Sequence, residues 1–282
     1  MRIEHLLGII GWPVKHSLSP KMQNEALKYC GLNSWHYVPL PVEPARVKDA
    51  VMGLSALSFR GVNVTVPHKE AVLPLMNRLS DDASAIGAVN TIVVEENALL
   101  VGHNTDAQGF INDLGARGIE PKELSVAILG AGGSARAVVY GLLKHGCQKL
   151  AIYNRHEDRA IELIKSLKGY FIGADLSYGS LDILKEATHA DLIINCTSLG
   201  MNESNDMPFK INFNKKQIVY DLIYNPAKTA LLKQAEAQGA TAINGLGMLI
   251  HQGALSFSLW TKREAPLEVM KASLKPQRTY TA

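Results

Sequence analysis

Short apolar runs alternate with longer polar stretches in the first hundred residues of the chain. Apolar runs at 6–10 and 62–66 predict strands, and the stretches at 19–29 and 44–54 have the spacing of amphipathic helices. Strands that alternate with helices are typical of a mostly parallel sheet. The N-terminal part of the chain is therefore predicted to be an α/β domain with a mostly parallel sheet.

The pattern changes near residue 125, where strand-like runs become more regularly spaced. These runs lie at 126–129, 150–153, 192–195 and 218–222. Helical segments separate them at the intervals of a doubly wound α/β domain. Beyond the glycines at 245 and 247, residues 248–261 predict a helix that returns to pack on the first domain. The expected division is one domain over 1–106 and 245–282, and a second over 107–244.

Chain length and composition agree with two soluble domains. A chain of 282 residues lies at the upper end of what one hydrophobic core supports. Its 47% hydrophobic and 20% charged residues are ordinary for a globular protein, and 29 basic residues against 26 acidic ones leave a net charge of only +3. The basic residues are scattered, which indicates a solvated mixed-charge surface and argues against a nucleic-acid partner.

Neither membrane association nor secretion is expected. The apolar run at 6–12 follows Glu4 and His5 and has no cleavage site after it, so it predicts a buried strand instead of a signal peptide. The run at 126–143 contains Arg136 and several glycines, which a lipid-exposed span would tolerate poorly. We therefore expect a cytoplasmic protein.

The cysteines and histidines do not predict a metal site. The three cysteines are far apart and match neither a zinc-site spacing nor a disulfide framework, which favours a reducing compartment; they are Cys30, Cys147 and Cys196. His16 and His68 flank polar motifs, but no cluster of His, Cys, Asp and Glu with ligand spacing surrounds them. No metal is expected.

A glycine-rich turn follows the strand at 126–129. It consists of Gly130, Ala131, Gly132, Gly133, Ser134 and Ala135, and it opens an amphipathic helix that runs through Leu143. In this context Gly130 permits a tight turn, Gly132 lets the backbone approach a pyrophosphate, and Ala135 allows close packing of helix on strand. Such turns also serve simple packing, but the strand–turn–helix setting favours a Rossmann-like dinucleotide-binding domain.

The end of the next strand indicates which dinucleotide binds. A site selective for NAD has an acidic residue about 20 residues beyond the glycines, whereas this chain has Asn154 and Arg155, with Arg159 four residues later. If a helix begins at Arg155, the two arginines share a face and could clamp a 2′-phosphate. This interpretation favours NADP. The alternative is a pair of exposed arginines at a helix start, and Glu157 and Asp158 nearby would disfavour a phosphate.

Four polar motifs interrupt the apolar pattern outside this turn, at 16–20, 63–69, 90–91 and 104–106. Asn63 and Thr65 are two apart on a predicted strand and would point the same way. Lys69 follows the strand's carboxyl end, where parallel α/β sheets bind their ligands. The runs at 91–94 and 99–102 predict a hairpin centred near residue 97, whose open end would hold Asn90 beside the segment that ends at Asp106.

With these motifs assembled, the sequence resembles the shikimate dehydrogenase family over nearly its whole length. The matching stretches occur in order: Ser-x-Ser-Pro at 17–20, Asn-Val-Thr-x-Pro-x-Lys at 63–69, Gly-Ala-Val-Asn-Thr at 87–91, Asn-Thr-Asp at 104–106, the glycine turn, Asn-Arg at 154–155, Asn-Cys-Thr-Ser at 195–198, Asp-Leu-Ile-Tyr-Asn-Pro at 221–226 and the run at 244–252. The family often has Thr where this chain has His156, so the resemblance does not extend to this contact with the adenosine ribose.

The resemblance implies an NADP-dependent oxidoreductase whose partner is a small hydroxylated cyclic acid, 3-dehydroshikimate or shikimate, with a homodimer left open. It implies that Ser17 and Ser19 hold the substrate carboxylate, and that Lys69 and Asp106 form the catalytic pair. Ring and hydroxyl contacts are implied for Asn63, Thr65, Asn90, Asp106, Tyr224 and Gln252. Further cofactor contacts are implied for Asn154, Thr197, Gly245 and Met248.

Chemistry alone leaves part of this open. Reducing a ketone requires a group that protonates or stabilises the developing alkoxide, and Lys69 could do either, or it could serve as a structural ion pair or a substrate-binding cation. Met248 shares a helix face with Gln252 and could be a core residue. Two rival functions stay open: a quinate/shikimate dehydrogenase with broader substrate and NAD use, and a catalytically silent NADP-binding sensor.

Overall fold

Two six-stranded sheets organise the described residues of the computed structural model, which are 4–181, 189–201 and 211–275. The chain divides into two compact units, Met1–Thr105 with Leu249–Ala282, and Asp106–Met248. The outermost residues of the first predicted domain, 1–3 and 276–282, lie outside the described ranges.

The elements follow one another in the order βαβαββαββ up to residue 105. They are β1 (His5–Gly11), α1 (Ser19–Tyr29), β2 (Trp35–Pro41), α2 (Val47–Met52), β3 (Phe59–Val64), β4 (Arg78–Leu79), α3 (Asp81–Ile86), β5 (Thr91–Val94) and β6 (Leu100–His103). The second unit contains α4 (Asp106–Ala116), β7 (Ser125–Leu129), α5 (Gly133–Lys144), β8 (Lys149–Asn154), α6 (Glu157–Leu167), β9 (Asp175–Ser180), β10 (Leu192–Asn195), β11 (Ile218–Asp221), α7 (Ala230–Ala237) and β12 (Thr241–Asn244). The helices α8 (Leu246–Thr261) and α9 (Leu267–Ser273) follow.

The sheet of the first unit is mixed and mostly parallel, as predicted. Its strand order is β2-β1-β3-β5-β6-β4. The pairs β1/β2, β1/β3 and β4/β6 are parallel, while β5 runs antiparallel to both β3 and β6. The antiparallel pair β5/β6 is the predicted hairpin. Buried aliphatic side chains, including Ile10, Val62, Val64 and Ile92, form the core of this unit.

The sheet of the second unit has the strand order β12-β11-β10-β7-β8-β9, and all its pairings are parallel. The chain builds outward from β7 to β9 and then returns to β10 on the other side of β7. This reversal is the topological switch point at which doubly wound sheets bind ligands. The predicted α/β class with a Rossmann-like domain is confirmed, although the sequence pattern did not reveal the outer strands β9 and β12.

Helix α8 carries the chain from the second unit into the first, since Leu246–Met248 belong to one unit and Leu249 onward to the other. The indole nitrogen of Trp260 donates to the carbonyl of Ile92 at 3.0 Å, and a Cβ on Gly61 would overlap Trp260. The predicted return of the C-terminal helix is confirmed. No helix in the described ranges is long and apolar enough to cross a membrane.

Candidate active site

The polar motifs of the first unit meet at one edge of its sheet. The strands β1 and β3 are parallel and end together, with Ile10 opposite Val64. Because β5 is antiparallel to β3 and β6 is antiparallel to β5, Asn63, Thr91 and His103 lie side by side across these strands. The segments after β1, β3 and β6 and the segment before β5 therefore lie at the same edge, where a parallel sheet presents its ligand site.

The serine motif forms the turn into α1. Ser17 is half-buried and its hydroxyl oxygen accepts from the amide of Ser19 at 3.2 Å. Ser19 is buried and is the first residue of α1. With an amide already donating to its oxygen, the Ser17 hydroxyl keeps its proton for an acceptor such as a carboxylate.

Lys69 lies in a turn that is fixed at several points. Strand β3 ends at Val64, two residues earlier than predicted, because Pro67 supplies no amide to continue the ladder. Thr65 therefore lies past the strand, although its amide still donates to the carbonyl of Ile10 at 2.9 Å. The carbonyl of Lys69 accepts from the amide of Val89 at 2.8 Å, and its side chain is half-buried. The lysine backbone is thus tied to the residue that precedes Asn90.

Asn90 is held at the open end of the hairpin, as predicted. Its side-chain oxygen accepts from the amide of Thr105 at 2.8 Å, and its Nδ2 donates to the hydroxyl of Thr105 at 2.8 Å. Its Nδ2 also lies 3.3 Å from Oε1 of Gln252 on α8. Two residues from distant parts of the sequence, both predicted to contact substrate, are therefore neighbours. Asp106, buried, follows Thr105 and begins α4.

Asn63 lies within a buried polar network. Its Oδ1 accepts from the Tyr37 hydroxyl at 2.8 Å, and its Nδ2 is 3.0–3.2 Å from Ser256 Oγ, Thr91 Oγ1 and the carbonyl of Asn90. Protein partners thus use both ends of an amide that the sequence predicted to bind substrate. Ser256 was missed by the sequence reasoning, and its only signal is a hydroxyl one helical turn after Gln252 on an apolar helix.

The glycine turn after β7 has the geometry expected of a phosphate-binding turn. Gly130 has φ +108, which favours glycine, and its amide donates to the carbonyl of Tyr153 at 2.7 Å. Among the described residues other than its two chain neighbours, none has an atom within 4 Å of the position that a Cβ on Gly132 would take. Ala135 is fully buried on α5. The turn therefore leaves open space at the N-terminus of α5, where backbone amides and the helix dipole favour an anion.

Arg155 is not part of a helix. Helix α6 begins at Glu157, after His156 in an extended conformation, so the face that the two arginines were expected to share does not exist. Acidic residues in the first turn, Glu157 and Asp158, favour this later start because they complement the helix dipole. Arg155 and Arg159 are both exposed, and Asn154 donates to the carbonyl of His156 at 2.8 Å. Arg155 thus extends from the loop at the carboxyl end of β8.

Thr197 lies on the loop after β10, beside the glycine turn. A Cβ on Gly130 would lie 3.1 Å from its methyl group. Its hydroxyl donates to Asn195 Oδ1 at 2.7 Å and accepts from the amide of Leu199 at 3.1 Å. The single hydroxyl proton is therefore committed to Asn195, and a cofactor would meet the methyl group or the backbone of Thr197.

The segment that opens α8 requires its two glycines. A Cβ on Gly245 would overlap the carbonyl of Leu222, and a Cβ on Gly247 would overlap the carboxylate of Asp113. The buried Tyr220 donates to Asp113 Oδ2 at 2.8 Å. Burial, followed by the negative charge of Asp113, raises the pKa of Tyr220 well above its ordinary value, while a hydrogen bond from the Met248 backbone lowers it slightly. Tyr220 and Gly247 thus lie against the same carboxylate, that of Asp113.

Tyr224 follows β11 and is half-buried.

Within the described part of the chain, no group of three or more His, Cys, Asp and Glu side chains could hold a metal ion.

Three family models match the sequence. The model described as shikimate dehydrogenase substrate binding domain matches residues 9–92, the one described as shikimate / quinate 5-dehydrogenase matches 85–207, and the one described as shikimate 5'-dehydrogenase C-terminal domain matches 245–275. Together they span both units.

Individual relatives match over nearly the full length. A shikimate dehydrogenase (NADP⁺) of Moorella thermoacetica is 45% identical over 274 residues, covering 96% of this chain and 92% of that protein. The solved structure of shikimate 5-dehydrogenase from Thermus thermophilus with NADP(H) and shikimate has a TM-score of 0.84 and 34% identity, and covers 95% of this chain and 97% of that one. Quinate dehydrogenase from Corynebacterium glutamicum with NAD has a TM-score of 0.86 at 32% identity, covering 96% and 98%.

Proposed function

Because the chain belongs to the shikimate dehydrogenase family, we propose that it catalyses the reversible NADP-dependent reduction of 3-dehydroshikimate to shikimate. The observation that carries this proposal is the joint presence of the family's polar motifs at one sheet edge and of a phosphate-binding turn at the switch point of the second sheet. The reaction belongs to the synthesis of aromatic amino acid precursors, by way of chorismate. We also propose a cytoplasmic location, which the three free cysteines favour.

We assign the substrate carboxylate to Ser17 and Ser19. The Ser17 hydroxyl donates to no acceptor in the described part of the chain, which supports this role, since a carboxylate accepts hydrogen bonds only. Ring and hydroxyl contacts are assigned to Thr65, Asn90, Tyr224 and Gln252. For Asn63 we propose an indirect role: its amide is satisfied by protein groups and holds the segment around Asn90 in place.

We assign proton handling to Lys69 together with Asp106. NADPH, when bound, supplies the hydride that reduces the ketone. The ammonium group of Lys69 would donate its proton to the developing alkoxide and recover it from the hydroxyl in the reverse direction. The bond from Val89 to the lysine carbonyl supports this assignment, because it fixes the lysine next to Asn90.

The chain's own groups fit NADP. The positive φ of Gly130 and the open space at Gly132 suit a pyrophosphate at the start of α5, with Ala131, Gly133, Ser134 and Ala135 completing the turn. Arg155 and Arg159 are exposed guanidinium groups beyond β8, where a 2′-phosphate would lie. Asn154, Thr197, Gly245 and Met248 complete the proposed cofactor contacts.

Steady-state kinetics with shikimate or quinate, and with NADP⁺ or NAD⁺, test the overall activity. We expect the highest kcat/KM with shikimate and NADP⁺. A higher value with quinate and NAD⁺ would assign the chain to the quinate dehydrogenase activity of its relative from Corynebacterium glutamicum.

Lys69→Ala tests the proton-handling assignment. We expect kcat to fall by at least about a thousandfold while the dissociation constants of shikimate and NADPH change little, because the ammonium acts on charge that develops in the transition state. Lys48→Ala, which removes an exposed lysine on α2 of the same unit, is the matched control. Near-normal turnover of Lys69→Ala would refute the assignment.

A further inference from the structure

A carboxylate that the proposed mechanism does not use lies at the carboxyl end of β11. Asp221 is fully buried and stands in register with Asn195 on β10 and Asn244 on β12. It accepts hydrogen bonds from Asn195 Nδ2 at 2.9 Å, the amide of Ile223 at 3.1 Å and the Thr229 hydroxyl at 2.6 Å. All three donors are neutral. Burial is the largest influence on this carboxyl and raises its pKa, while the three hydrogen bonds lower it in part.

The carboxylate determines which way the Asn195 amide points. A carboxylate only accepts, so the NH₂ group of Asn195 must face Asp221 and its Oδ1 must face the other way. That oxygen accepts from both the amide of Thr197, at 3.0 Å, and its hydroxyl, at 2.7 Å. The same NH₂ group is 3.3 Å from the carbonyl of Leu199. The orientation of one amide therefore organises the loop at 196–199.

This loop lies directly against the glycine turn. The amide of Cys196 donates to the carbonyl of Leu129 at 2.8 Å, one residue before Gly130. A Cβ on Gly130 would be 3.3 Å from the Cys196 carbonyl group and 3.1 Å from the Thr197 methyl group. The loop therefore leaves no room for a side chain at Gly130, and a backbone hydrogen bond ties it to the residue before that glycine. A displaced loop would therefore alter the turn that faces the pyrophosphate.

We propose that Asp221 is a positioning residue for the dinucleotide: acting through Asn195, it holds the loop at 196–199 against Gly130 and so sets the affinity for NADP. The proposal rests on the NADP site proposed above. Without the negative charge of Asp221, the side-chain amide of Asn195 can rotate by half a turn. Its NH₂ group would then face the two Thr197 donors. The loop would lose its anchor, whereas the substrate-binding edge of the first unit would keep its hydrogen bonds.

The test is Asp221→Asn, which keeps the shape of the side chain and removes its charge. We expect the dissociation constant of NADPH, measured by its fluorescence on titration, and the KM of NADP⁺ to rise about tenfold, which corresponds to about 1.4 kcal/mol. The KM of shikimate and kcat should stay within about twofold, since the change weakens cofactor binding in ground and transition states alike. A general loss of stability would not produce this split.

Asp191→Asn is the matched control. Asp191 precedes β10 and so lies at the amino end of this strand, opposite the carboxyl end that bears Asn195. Its carboxylate also accepts from two neutral donors, the amide and the hydroxyl of Ser125, at 2.9 and 2.6 Å. It should leave the cofactor constants within about twofold of the wild type. In the double variant N195D/D221N the carboxylate lies at position 195 and the amide at position 221. The pair again contains one carboxylate, and Thr197 again has an acceptor. This variant should therefore recover most of the NADPH affinity.

The proposal would be overturned if folded Asp221→Asn bound NADPH with a dissociation constant within twofold of the wild type. It would also be overturned if Asp191→Asn raised that dissociation constant as much as Asp221→Asn does. If Asp221→Asn does not fold, the double variant decides: near wild-type affinity supports the proposal, and a tenfold loss in the folded double variant overturns it. Wild-type turnover of shikimate with NADP⁺ is measured first. Its failure would refute the proposed function, not the role of Asp221.

Discussion

Replacing Tyr220 with phenylalanine removes a single oxygen from the core of the second unit. The ring packs edge-on against Phe110 at a centroid distance of 5.1 Å, and phenylalanine preserves that contact. The hydroxyl donates to Asp113 at 2.8 Å. The substitution therefore isolates the contribution of this hydrogen bond.

The contribution of this bond to stability can be estimated from the partners that Asp113 keeps. Asp113 keeps Arg117, whose Nε donates to the same carboxylate at 3.1 Å, so the charge is not left alone. A hydrogen bond to a charged group contributes about 1.5–3 kcal/mol. Tyr220→Phe should therefore lower the free energy of unfolding by about 1.5–3 kcal/mol near pH 7.

The pH dependence provides a second signature. In the unfolded chain a tyrosine loses its proton near pH 10, but burial and Asp113 raise the pKa of Tyr220 in the folded state. Above about pH 10 the unfolded state therefore binds fewer protons than the folded state, and stability falls as the pH rises. Phenylalanine has no such contribution, so the difference in stability between wild type and Tyr220→Phe should shrink above pH 10.

Urea denaturation followed by circular dichroism, at pH 7 and at several values up to 11, measures both effects. Tyr178→Phe is the control, because Tyr178 lies on the edge strand β9 and is 51% exposed. Equal urea midpoints for the two variants at pH 7 would contradict a stabilising hydrogen bond from Tyr220 to Asp113. A difference from wild type that stays constant up to pH 11 would contradict the raised pKa.

Two further predictions concern the proposed contacts. Arg155→Ala should raise the KM of NADP⁺ by one or two powers of ten more than that of NAD⁺, as expected for the loss of a charged contact of about 1.5–3 kcal/mol. An equal rise for both cofactors would show that Arg155 does not bind the 2′-phosphate, and Arg159 would be tested next. Asn63→Leu should lower the melting temperature, with a loss of about 2–3 kcal/mol in the free energy of unfolding, because it removes the acceptor of the buried Tyr37 hydroxyl and the amide that donates to Ser256 and Thr91. An unchanged melting temperature would show that the network around Asn63 contributes nothing to stability.

Local patterns were sufficient to predict most of the strands and the glycine turn. The run at 126–129, the glycines and the following helix are contiguous, so their geometry depends on neighbouring residues. The proximity of Asn90 and Thr105 was predictable as well, because a short hairpin brings its two ends together. Contacts of this kind need only short-range information.

The sequence could not reveal the hydrogen bonds between residues that are far apart along the chain. Asn63 resembles a ligand-binding amide in its motif, and only the folded protein brings Ser256 within 3.0 Å of it. Asp221 likewise meets Asn195 across 26 positions, through strand register that no local pattern specifies. The start of α6 was misjudged because its acidic first turn competes with an earlier start at Arg155.

The path of the chain also has a consequence for the order in which the protein can be made. The second unit is one uninterrupted stretch, Asp106–Met248, so all of its residues have been synthesised before the last part of α8. The first unit can be completed only later, because Ser256 and Trp260, which form hydrogen bonds with β3 and β5, are near the end of the chain. A ribosome that stops before residue 250 would therefore release a nascent protein whose later-made unit has all its residues and whose earlier-made unit lacks part of its interior.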